Sequence, residues 1–154
     1  MLRLRWTAVL VGALLMTIAL PSVASAYPKR RASKGEVAAI VHDAKRTQVC
    51  GYTGGGGHLS AFRVVYYAAH HVLFKWAATT WSPPGGQGCV LVFLHASGSS
   101  FDSTQTQRHA QVDWLPFTWG SSPFDNPSYL TSQWSLLGFA AGPPNWSALA
   151  AELS

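Results

Sequence analysis

Apolar residues run almost unbroken from Thr7 to Leu20, and beyond them the chain settles into segments patterned at helix or strand period. Arg3 and Arg5 precede the first run, Pro21 breaks it, and Ala24-Ser25-Ala26 supplies the small-x-small site that signal peptidase needs. The run is roughly 14 residues, short of the ~20 that a helix needs to cross a hydrocarbon core. Residues 1–26 are therefore expected to be a cleaved secretory signal peptide, with Tyr27–Ser154 exported as the mature chain.

The first patterned segment opens with Ser33-Lys34-Gly35-Glu36, a capping box in which serine and glutamate satisfy each other's orphan amides. Val37, Ile40, Val41 and Ala44 follow at helical spacing, and Lys45 and Arg46 suit the last turn. This pattern predicts a helix over Lys34 to Thr47. Gly51 and Gly54 to Gly57 then predict a loop.

From Phe62 to Trp81 both periods fit. Phe62, Val64 and Tyr66 alternate as in a strand, while Phe62, Val65, Tyr66, Ala69, Leu73 and Trp76 also form a helical stripe. The density of aromatic and β-branched residues favours two strands turning near Ala69 to His71. Ser82-Pro83-Pro84-Gly85-Gly86 marks a turn, and Cys89 to Ala96 reads as a buried strand. Ser97 to Gln107 is polar and is expected at the surface. Ala110 to Trp119 is expected to return as a strand that Pro116 confines to an edge or a bulge.

Helical signals resume at Asp125-Asn126-Pro127, a cap followed by a first-turn proline, with a helix through about Leu137. Gly142-Pro143-Pro144 ends that region, and Asn145 is placed to cap a last short helix through Leu153. The fold class expected is α+β: an N-terminal helix, a small antiparallel β-sheet, short C-terminal helices and one disulfide. Residues 27–34 are expected as a basic flexible tail, and 35–154 as one small globular domain.

Charge changes this picture little. The mature chain carries nine Lys and Arg against six Asp and Glu, and four of those bases are Lys29, Arg30, Arg31 and Lys34. From Gly35 onward the balance is five bases to six acids, so the basic face of a nucleic-acid domain is missing and specific nucleic-acid binding is not expected. Cysteine content changes it more. Cys50 and Cys89 form an even pair in an exported chain, which an oxidising compartment bridges. Closing a loop of that length stabilises a fold by roughly 4 kcal/mol in the chain-entropy model. Neither the spacing of a redox motif nor that of a structural zinc site is present.

Catalytic and metal chemistry have no organised frame. On a regular strand His70 and His71 point to opposite faces, and on a helix they lie about 100° apart, so neither arrangement shares an ion. His42, His58, His95 and His109 are isolated in sequence, and no metal or other cofactor is expected. There is no Gly-x-Ser-x-Gly elbow; a hydrolase would need His95 or His109 to meet Asp102 or Asp113 in space. The glycine run at 54–57 lacks the following Lys-Ser or Lys-Thr of a phosphate loop. Asn145-Trp146-Ser147 fits an N-glycosylation sequon.

Tryptophan is the remaining excess, with Trp76, Trp81, Trp114, Trp119, Trp134 and Trp146 in the mature chain. Trp114 and Trp119 are five residues apart, as are Trp76 and Trp81, so in a regular strand each pair faces opposite ways and one member is a candidate for exposure. Trp81, Trp114 and Trp119 are the candidate binding residues, suited to a sugar ring, a lipid surface or a protein partner. The expected function is a small exported, non-enzymatic binding domain at or outside the cell envelope, its partner an envelope glycan, lipid surface or protein. A small secreted hydrolase is the alternative.

Overall fold

The computed structural model describes residues 27–52, 60–83, 85–98, 110 and 112–154. These form a five-stranded sheet of β1 (Lys29–Arg30), β2 (Ser60–Ala69), β3 (Val72–Trp81), β4 (Cys89–Gly98) and β5 (Leu115–Gly120). Every neighbouring pair is antiparallel and the strand order follows the chain order, so the sheet is a meander. The helices are α1 (Lys34–Thr47), α2 (Pro127–Leu137) and α3 (Trp146–Leu153). Residues 1–26, expected as a signal peptide, lie outside the described residues, and so does the glycine run at 54–57.

Local chemistry sets the helix ends. In α1 the Ser33 hydroxyl accepts from the Glu36 amide at 3.2 Å, and the Glu36 carboxylate accepts from the Ser33 amide at 2.8 Å. Asn126 caps α2 through a bond from the Tyr129 amide, with Pro127 in the first turn. Asn145 caps α3 by accepting from the Ala148 amide, so the asparagine of the sequon is engaged in holding the helix start.

The ambiguous stretch resolves into a hairpin. Ala69 pairs with Val72, and His70 and His71 form the turn with φ of 50° and 63°. Both residues are left-handed, the geometry of the tight turn that follows the twist of its strands and that usually takes Asn-Gly. Gly98 lies against this turn with φ +153°; a Cβ there would sit 2.2 Å from the His71 carbonyl oxygen, so no other residue fits.

The sheet is covered on both faces. Phe74, Trp76 and Ala78 of β3 and Val92, Leu94 and Ala96 of β4 pack against Leu130 and Trp134 of α2 and Leu149 of α3. The alternate residues Ala77, Trp81, Leu91 and Phe93 pack with Ile40 and Ala44 of α1. Double coverage explains why β4 reads as a continuous apolar run instead of an alternating one. The first core is aromatic at its centre: Trp76 lies 5.0 Å from Phe117, 6.0 Å from Trp134 and 6.0 Å from Trp146, ring centre to ring centre. β5 forms the outer strand beside β4, with a register shift opposite Val92 and Phe93 where Pro116 enters, as the proline predicts.

Part of the basic N-terminal segment, β1, pairs with the edge of the sheet. Tyr27 is buried, its hydroxyl accepts from the Asn145 amide at 2.9 Å, and β1 pairs with Val64 and Val65. Arg30 grips Glu36 with two bonds of 2.6 and 2.7 Å, and Lys29 lies 3.2 Å from Glu152. Sequence alone shows four bases in a row of polar residues; their carboxylate partners come from α1 and from the far end of the chain.

Candidate functional site

At one end of the sheet, on the face that carries α2 and α3, the packing leaves a cavity of about 500 Å³. Ala78, Thr80 and Val90 form its floor. The floor is continuous across strands because Thr80 pairs with Val90, and Val90 pairs in turn with Gly120. One wall is the turn from Ser121 to Asp125 that joins β5 to α2; the other is the last stretch of α3 with Ala150, Leu153 and Ser154.

The turn is held in place by its own bonds. The Thr118 hydroxyl donates to the Pro123 carbonyl at 3.3 Å, and the Asp125 amide donates to the Ser122 carbonyl at 3.2 Å. Phe124 is half-buried and packs against the aromatic core, so the cavity wall and the core share a side chain. The cavity thus has an apolar floor and back, with hydroxyls and one carboxylate at its rim. Its volume falls in the range of sites that enclose small organic ligands.

The tryptophans expected to bind lie elsewhere. Trp81 is buried on the α1 face against Tyr52 at 4.6 Å, and Trp114 is buried beside His95 at 5.4 Å. Opposite facing does separate Trp76 from Trp81, but helices cover both faces of β3, so neither is exposed. Trp119 is the exception: it sits opposite Leu91 on the outer strand and is 52% exposed. Cys50 and Cys89 are bonded, tying the short 3-10 turn Val49–Gly51 to the start of β4.

A second polar array lies under α1. Asp43, buried, accepts from the Trp114 amide at 2.8 Å and lies 3.6 Å from Arg46, which also holds Asp113 at 2.8 Å. His95 is half-buried opposite Lys75, and its Nδ1 has no hydrogen-bond partner. Burial lowers the His95 pKa and the Lys75 cation lowers it further, against smaller opposing pulls from Glu36, Asp113 and Asp43. Asp113 is therefore near His95 but bonded to Arg46, and it does not orient the imidazole. Asp102 and His109 lie outside the described residues, as does His58. His70 and His71 occupy the hairpin turn, where the two-strand reading of this stretch places them. Among the described residues no group of three or more His, Cys, Asp or Glu side chains is placed to hold a metal ion.

The cavity escaped sequence reading because its lining comes from four separate segments, each ordinary by itself. Only Ser121-Ser122-Pro123-Phe124-Asp125, a polar turn interrupted by one large aromatic, carried a hint. No protein-family model matches the chain, and neither a curated protein nor a solved structure matches it significantly.

Proposed function

We propose that this chain is a small exported, non-enzymatic binding domain that takes an apolar or amphiphilic molecule of the cell envelope into the cavity between the sheet and α3. The observation that carries this reading is the 500 Å³ cavity floored by Ala78, Thr80 and Val90 and closed by the turn 121–125. An apolar hollow of that size opening from a rigid aromatic core favours binding by shape and desolvation, without ordering new structure. Export rests on the leader-like pattern of residues 1–26, and the bonded Cys50–Cys89 pair agrees with an oxidising compartment. Trp119, on the opposite face at the same end of β5, offers an aromatic contact to the surface from which the ligand is drawn.

Native mass spectrometry of Tyr27–Ser154 after incubation with an envelope lipid extract tests the reading. Wild-type protein should retain adducts of apolar mass, and Ala150→Phe, which fills the cavity from an only half-buried helix position, should lose them. Equal retention by both proteins, or none by the wild type, would remove the cavity as the binding site.

A further inference from the structure

Resting on the cavity as the binding site, we infer that its ligand carries a positive charge beside an apolar body: a cationic amphiphile such as an alkylamine. Among the described residues that line the cavity, Asp125 is the single ionisable side chain, and no Lys, Arg or His joins it. No ion pair within the described residues reaches Asp125 either, whereas Glu36, Asp43, Asp113 and Glu152 each face a Lys or Arg. Among the described acidic side chains, Asp125 is thus the one without a Lys or Arg partner, and it lines the apolar hollow.

The rest of the rim suits the same ligand. Ser121 and Ser122 at the rim carry hydroxyl oxygens that accept from an ammonium, as does Thr80 in the floor, while Ala78 and Val90 beside it take hydrocarbon. A carboxylate at the rim of an apolar site repels an anionic headgroup and gives a neutral one no charge to meet. The N-terminus of α2, beginning two residues beyond Asp125, is a partial positive charge beside it and limits the expected preference to about tenfold.

Three probes with the same eight-carbon body separate charge from shape: octylamine, octanol and octanoate, titrated into Tyr27–Ser154 at pH 7 and followed by amide NMR shifts at Phe124, Ala150 and Leu153. Octylamine should bind about tenfold more tightly than octanol, octanoate should bind weakest, and Asp125→Asn should bring octylamine and octanol together. The Asp125 amide, not its side chain, bonds to Ser122, so this isosteric change leaves the turn intact. Equal affinities for the three probes, or an octylamine preference that survives in Asp125→Asn, would overturn the charge inference and leave the cavity standing. Shifts at none of the three positions with any probe would overturn both.

Discussion

Asp43 is the buried carboxylate that fastens α1 to the start of β5, and its removal should be among the most costly single changes on the α1 side. It is 2% exposed, its Oδ2 accepts from the Trp114 amide at 2.8 Å, and its Oδ1 lies 3.2 Å from the His42 ring and 3.6 Å from Arg46. Asp43→Ala leaves the buried Trp114 amide without an acceptor, which costs about 1–3 kcal/mol, and forfeits a charge-assisted bond besides. Relief of the desolvated anion returns part of that, so the net loss should be about 2–4 kcal/mol. Asp43→Asn keeps an oxygen in reach of the amide and gives up only the charge facing Arg46, so its loss should be near 1 kcal/mol. Urea unfolding followed by far-ultraviolet circular dichroism measures both, and the alanine variant should also melt roughly 10 °C below the wild type. Equal losses for Ala and Asn would refute the argument, because the bond to Trp114 would then contribute nothing beyond the charge. No loss in either would mean that the desolvation of Asp43 cancels everything it holds.

Two further changes probe the docking of the N-terminal segment and the hairpin turn. The Arg30 guanidinium holds the Glu36 pKa down from 4.5 to about 2, so this stabilisation is complete above about pH 4.5 and is lost as pH falls toward 2. With Arg30 half-exposed to screening water, Glu36→Gln, which keeps the helix cap, should cost about 1–2 kcal/mol at pH 7. That deficit should vanish near pH 2 in urea midpoints; a deficit constant across pH would contradict the ion pair. His71→Gly should raise stability by about 0.5–1 kcal/mol by relieving a left-handed residue at φ 63°, and an unchanged or lower melting temperature would show that the imidazole is held there by contacts.

Much of the fold was legible because its signals are local. The capping box at Ser33 and Glu36, the proline at 127 and the asparagine at 145 each act within a few residues, and the helices they predict begin where those residues stand. The two strands between Ser60 and Trp81 were legible from residue type, though period alone left a helix open. The bonded cysteines followed from their even number and the compartment expected from the leader-like pattern.

What the linear pattern could not carry was which faces would be covered. Alternation says that Trp76 and Trp81 point opposite ways, and it is silent on whether a helix lies over each side; with α1 on one and α2 and α3 on the other, both are core. Trp119 escapes only because it stands on the outermost strand. The bases at Lys29 and Arg30 find their acids at Glu152 and Glu36, partners that only folding brings near. The cavity is a gap between four segments, and an unfilled volume has no residue of its own. Helix caps, turns and strand period are properties of neighbours in sequence, so the chain alone determined them; burial, charge pairing and the hollow beside Asp125 are properties of neighbours in space, and the tertiary structure decided them.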